Sequence, residues 1–124
     1  MKNYFDQRSQ NAISRQRQIL KELPNFALDF FVGIEQTTSP LTRLNYAYDL
    51  RLFFDYLVNM QDLFHGKKVK ELEVDDLNII RANHIERFLS YVSSYIDEDN
   101  NQVSNGDRSK ARKLSSIKSF FKYY

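Results

Sequence analysis

The sequence predicts an all-α domain built on four main helices, and three observations carry that prediction. There are only 3 Gly and 2 Pro in 124 residues, too few for the many tight turns of a β-sandwich or for a glycine-rich phosphate cradle. Apolar residues recur at helical spacing, and helix start signals stand where those periodic runs begin. A chain of this length fits one compact domain, and 42% apolar residues, with 10 Phe and 8 Tyr, suffice for a single core.

Residues 1–23 read as a polar lead-in with some helical potential, because Phe5, Ile13, Ile19 and Leu20 are too sparse for a committed core face. Pro24 stops it. The domain proper is expected over 24–124. Its first helix, about 25–35, takes Asn25 as N-cap and carries Phe26, Phe30, Phe31 and Ile34. The second, about 40–60, opens on Ser39-Pro40, since serine accepts from the orphan amides and proline fits the first helical position. Tyr46, Leu50, Phe53 and Leu57 line one face, and Leu41, Leu44, Tyr48 and Leu52 add a second apolar flank, as expected of a helix running through the middle of a bundle.

Lys67, Lys68 and Lys70 are followed at once by Glu71 and Glu73, the pattern of a self-neutralising solvated loop, with a short turn of helix begun by Asp75 or Asp76. Asn83 and Glu86 have the spacing of a capping box for a third helix, about 83–97, striped by Ile85, Phe88, Leu89, Val92 and Ile96. An acidic polar connection over 97–106 precedes the fourth helix, about 107–124. Rotation at ~100° per residue gathers Leu114, Ile117, Phe121 and Tyr124 on its core side, with Arg108, Arg112, Ser115, Ser116 and Ser119 opposite.

Several function classes fall away by inventory. With no Cys and two His, disulfides, thiolate chemistry and cysteine-type zinc sites are absent, so neither a metal nor a cofactor is expected. The first twenty residues lack the apolar core of a signal peptide, and the densest apolar run, Leu52 to Val58, is interrupted by Asp55. An intracellular protein with no membrane span is the expectation.

Charge is uneven along the chain. Residues 1–22 sum to +3, residues 23–106 to −6 and residues 107–124 to +5. An acidic body ending in a basic helix suits a chain that turns one element toward a polyanion. Arg108 and Lys110 sit in the first turn of that helix, where the macrodipole disfavours cations. Phosphate oxygens docked there would take hydrogen bonds from arginine, from the Ser109 hydroxyl and from the free amides. Lys118 and Lys122 lie toward the C-terminal end, where cations are favoured without any partner.

Three strings occur in a telling order: Ser39-Pro-Leu-Thr42-Arg-Leu-Asn-Tyr46-Ala-Tyr-Asp49-Leu50-Arg-Leu-Phe53, then Asp76-Leu77 with His84-Ile85-Glu86-Arg-Phe88-Leu89-Ser-Tyr91, then Ala111-Arg112-Lys113-Leu114-Ser115-Ser116-Ile117-Lys118-Ser119-Phe120-Phe121-Lys-Tyr123. Together they resemble the N-terminal core-binding domain of tyrosine recombinases and phage-type integrases, over about residues 24–124. The resemblance implies a SAM-like helical bundle that forms half of a C-shaped clamp on double-stranded DNA, with the second and fourth helices at the major groove and flanking phosphates. It implies Thr42 at a phosphate, Arg43 and Asn45 near the groove, and Arg108, Ser109, Arg112 and Ser116 on the DNA-facing side of the last helix. Lys113 and Lys118 stand where the family often has arginine, which turns a bidentate contact into a single-point one.

Family members continue into a catalytic domain with an Arg, His and Lys constellation and a tyrosine nucleophile. By that comparison the chain is the DNA-binding half of a longer enzyme, itself non-catalytic and monomeric, from a parent that works as a tetramer in a bacterial or phage-type cytoplasm, associated with the nucleoid. Tyr123 and Tyr124 read as core or core-rim aromatics rather than nucleophiles. Two other readings stay open. One is a stand-alone DNA-binding regulator, which would need a short helix-turn-helix turn. The other is a helical protein-interaction module, for which the flank of Leu41, Leu44, Tyr48 and Leu52 is suited.

Overall fold

The computed structural model describes residues 4–97 and 99–124. The fold is all-α, with one small hairpin, and the chain divides into two compact units that meet between Val74 and Asp75. Helix α1 spans Tyr4–Leu20, α2 Ala27–Gly33, α3 Pro40–Asp55, α4 Ala82–Val92 and α5 Asp107–Tyr123.

In the first unit α1 packs along α3. The expected lead-in is thus a 17-residue helix, and it buries Ala12, Gln16 and Ile19 at spacings of four and three, followed by Leu23. A sparse apolar pattern was enough because small Ala12 and amphipathic Gln16 fill the positions between larger side chains. Polar groups fasten the pair from outside. Arg15 Nε donates to Tyr48 Oη at 3.0 Å, and the Arg15 and Arg51 guanidiniums lie 5.8 and 5.5 Å from the centre of the Tyr48 ring. Arg51 in turn pairs with Glu22 at 2.8 Å. The bond to Tyr48 raises the Arg15 pKa above its ordinary value.

Helix α2 begins two residues later than expected, and Asn25 is not its cap; the Asn25 side chain accepts from Lys70 Nζ at 2.9 Å. Phe30 and Phe31 are buried edge to face at 5.1 Å, and Phe30 stacks on Tyr46 at 6.1 Å. On α3 the expected face holds, with Leu50, Phe53 and Leu57 fully buried. The second flank does not join the core. Leu41 is 49% exposed, and Leu44, Tyr48 and Leu52 are half-buried, with the two guanidiniums covering Tyr48. The helix widens into a π turn over Tyr56–Met60, and a 3-10 turn at Val69–Glu71 follows. In the basic loop Glu71 accepts from the Lys68 amide at 2.8 Å.

In the second unit a 3-10 turn ending at Ile79 leads into α4, with Leu77 and Ile80 buried. The capping box at Asn83 and Glu86 is not the one formed. Arg81 is the N-cap, and its amide donates to His84 Nδ1 at 2.8 Å, so an imidazole fills the role of a glutamate at N3. The helix ends at Val92 rather than near 97. Residues Ser94–Ile96 form strand β1, antiparallel to β2 at Gln102–Ser104, with Tyr95 opposite Val103. Ile96 lies four residues after Val92 and prolongs a helical stripe on paper, but the Asp/Asn-rich turn overrides it. Asp97 Oδ1 accepts from the amides of Asp99 and Asn101 at 3.0 and 2.8 Å, and Asn100 takes the left-handed conformation at φ 65° that asparagine tolerates.

Helix α5 is rotated from its expected setting. Lys113, Ser116, Ile117 and Phe120 are buried, while Leu114 and Phe121 are half-buried and Tyr124 is exposed. Ser116 can face inward because its hydroxyl donates to the Arg112 carbonyl at 3.2 Å within the helix, which leaves no lone donor. Tyr123 and Tyr124 are rim aromatics, and the Tyr124 ring rests 5.1 Å from that of Phe120.

Candidate nucleic-acid interface

The outer face of α5 is cationic. With Lys113, Ser116, Ile117 and Phe120 inward, the exposed face carries Arg108, Ala111, Arg112, Ser115, Lys118 and Lys122, with Asp107 the lone acid of the helix and Tyr123 an exposed aromatic at its end. At ~100° per residue these six fall in one sector along four turns. No hydrogen bond or ion pair reaches the Arg108 guanidinium among the described residues. The helix starts from Gly106 with no side-chain cap.

Ser109 and Lys110 are committed elsewhere. Ser109 Oγ donates to Asn105 Oδ1 at 2.7 Å, and Lys110 Nζ donates to Ser93 Oγ at 3.0 Å with Asp107 at 3.9 Å. Lys110 therefore has a local reason to occupy the first turn, and the dipole argument survives for Arg108 alone. Lys113 and Ser116, expected on the outward side, are 7% and 0% exposed. Lys122 joins the outward face although its position near the helix end gave no reason to single it out. Its place fourteen residues beyond Arg108, close to four whole turns, was the available signal.

The start of α3 is organised differently. Ser39 Oγ accepts from the Thr42 amide at 3.1 Å and donates to Thr42 Oγ1 at 2.9 Å, the cap that Ser39-Pro40 predicts. Arg43, expected near a groove, is 8% exposed. Its Nη1 donates to the carbonyls of Glu35 at 3.1 Å and Thr38 at 2.6 Å, and to Thr38 Oγ1 at 3.2 Å. Arg43 thus ties the connection between α2 and α3 to the first turn of α3. Asn45, two residues on and roughly 200° around the helix, is half-buried, as is Thr42. Thr42 and Asn45 remain as outward candidates on this helix, and Arg43 does not.

None of the described helices is long and apolar enough to cross a membrane. The tyrosine recombinase XerC of Caldanaerobacter subterraneus subsp. tengcongensis is 30% identical over 102 residues, covering 77% of this chain and 27% of that protein. The chain thus spans about a quarter of that curated relative's length. No solved structure matches. The family profile described as phage integrase, N-terminal SAM-like domain matches residues 29–124, from within α2 through α5 and leaving α1 outside. The ordered strings, the all-α fold and this match agree, and the chain belongs to the phage integrase N-terminal SAM-like domain family.

Proposed function

We propose that this chain is the DNA-gripping module of a tyrosine-type site-specific recombinase or integrase, and that it holds duplex DNA at the recombination core site while a separate catalytic domain cuts and rejoins the strands. The observation that carries the reading is the one-sided face of α5, where Arg108, Arg112, Lys118 and Lys122 stand outward around Ser115. Four cations on one helix neutralise phosphates and release counterions, and a small hydroxyl between them allows close approach to the backbone. Thr42 and Asn45 on α3 supply a second set of polar contacts. Base preference would come from side-chain reach and from DNA shape. In this reading the module works in the cytoplasm near the nucleoid, is monomeric by itself, and joins a tetramer as part of the full enzyme.

The test is a titration of a random-sequence duplex at several salt concentrations. With about four phosphates neutralised, log affinity should fall against log salt with a slope of about −4. Arg108→Ala and Arg112→Ala should each make that slope shallower by ~0.9 with the melting temperature nearly unchanged. A flat salt response would instead favour a protein-interaction role, for which exposed Leu28 and Val32, one turn apart on α2, offer a surface. No strand cleavage by this module is expected, since in this reading cutting and rejoining belong to the separate catalytic domain. A suicide substrate that trapped a covalent adduct on this chain would overturn that part.

A further inference from the structure

The connection between α4 and α5 is fastened at its base, entirely within the second unit. Hairpin register sets Ser94 against Ser104, and the ladder continues one step as the Asn105 amide donates to the Ser93 carbonyl at 3.2 Å. Asn105 Nδ2 donates to the Val92 carbonyl at 2.7 Å, while its Oδ1 accepts from Ser109 Oγ at 2.7 Å. Ser93 Oγ donates to the Leu89 carbonyl at 3.2 Å and accepts from Lys110 Nζ at 3.0 Å. The open carbonyls of Val92 and Ser93 at the end of α4 thus gain donors from Asn105, two residues before α5. Lys110 sits at the negative end of α4, which offsets its unfavourable place at the positive end of its own helix.

These bonds all leave α5 on the side of Ser109 and Lys110. Arg108 is roughly 100° away from Ser109, and Arg112 is within about 40° of Arg108. We propose that Ser93 and Asn105 are positioning residues for DNA binding, which fix where α5 begins and how it is turned so that Arg108 and Arg112 stand outward. Lys110 is a tie in this arrangement and not a phosphate contact. The inference rests on the reading of the α5 face given above.

Ser93→Ala separates the two roles of Lys110, because it removes the acceptor and leaves every charge in place. If Lys110 is a tie, the variant binds random-sequence duplex about fivefold more weakly, the worth of roughly one net hydrogen bond, and Arg112→Ala costs less in that background than in the parent. If Lys110 contacts phosphate directly, freeing it leaves affinity equal or tighter, and the proposal is overturned. Asn105→Ala should weaken binding further, about tenfold, since it removes both a donor and an acceptor. Should Asn105→Ala fail to fold, Ser109→Ala reads the same bond, with Ser109→Thr, which keeps the hydroxyl, expected to bind as the parent does. A purely structural lock would lower the melting temperature and leave affinity and salt slope unmoved well below it, which also counts against positioning. The double variant Arg108→Ala, Arg112→Ala is the control. Normal binding there sinks the reading of the face, whereas weakened binding there beside unaffected Ser93→Ala sinks only the positioning role.

Discussion

The starts of α3 and α5 are both basic, polar and rich in hydroxyls, and the molecule uses them in opposite ways. At α3 the arginine turns inward. Arg43 spends three hydrogen bonds on the connection from α2, and Ser39 and Thr42 cap the helix between themselves. At α5 the cap is a bare glycine, Ser109 and Lys110 are tied back toward α4, and Arg108 is left in solvent. An arginine in the first turns of a helix therefore says nothing about its role until the nearby carbonyls are counted. Where the preceding connection offers unbonded carbonyls within reach, the guanidinium satisfies them, and where a hairpin has already supplied donors, it is released.

The largest expected effect tests how α5 is turned. Ile117→Ala should cost about 2–5 kcal/mol through a core cavity, and half-buried Leu114→Ala clearly less, as read by urea unfolding. Equal costs would mean that the helix is set as its apolar periodicity alone suggests, and the outward face would have to be redrawn. Next comes Arg43. Arg43→Ala takes the donor from the part-buried carbonyls of Glu35 and Thr38 and should cost about 1–3 kcal/mol while leaving the salt slope of DNA binding unchanged. Arg43→Lys keeps the charge but not the fork, and should remain destabilised. A shallower slope with unchanged stability would put Arg43 on DNA and erase the contrast with Arg108.

The caps sharpen the comparison further. Ser39→Ala should lose about 1 kcal/mol of stability. At the other helix Gly106 has ordinary extended backbone at φ −79°, and an added Cβ would meet nothing within 4 Å. Gly106→Ser should therefore gain only some tenths of a kcal/mol. Between these lies a pH effect in the hairpin that leads into α5. Burial, with Tyr91 and Asp97 nearby, raises the Tyr95 pKa above its ordinary 10.0. The folded state holds that proton more tightly, so the contribution is complete below the ordinary value and is lost as pH climbs through the raised one. Tyr95→Phe should flatten the alkaline fall in stability, and an unchanged fall would assign it to other groups.

The helices that were legible from sequence are those whose signals are local. Ser39-Pro40 located the start of α3 to the residue, and the spacing of Leu50, Phe53 and Leu57 identified its buried face. Local signals misled where two of them competed. Ile96 continued the stripe of α4, but Asp97, Asn100 and Asn101 bend the chain into a hairpin at that point. Asn83 and Glu86 matched a capping box two residues too late, since the Arg81 amide donates to His84 Nδ1 and a histidine nitrogen supplies there the bond that a glutamate would. At the candidate site Arg108 and Arg112, expected on the polar face, are exposed, and so is Lys118. Lys113, Ser116 and Arg43 are buried instead, because lysine stems, helix-bonded serines and carbonyl-bonded arginines can all be buried without breaking the rules of polar satisfaction.

The sequence by itself determined the all-α class, the order of the helices, the cap of α3 and the concentration of positive charge in the last eighteen residues, since each follows from side chains within a turn or two of one another. Only the tertiary structure decided that the first helix packs along α3, that α5 is rotated to bury Ser116, and which arginine serves the fold and which faces solvent. Those outcomes depend on carbonyls and apolar surfaces brought together from distant parts of the chain, and a one-dimensional period carries no information about which helix end offers an unbonded oxygen to which cation.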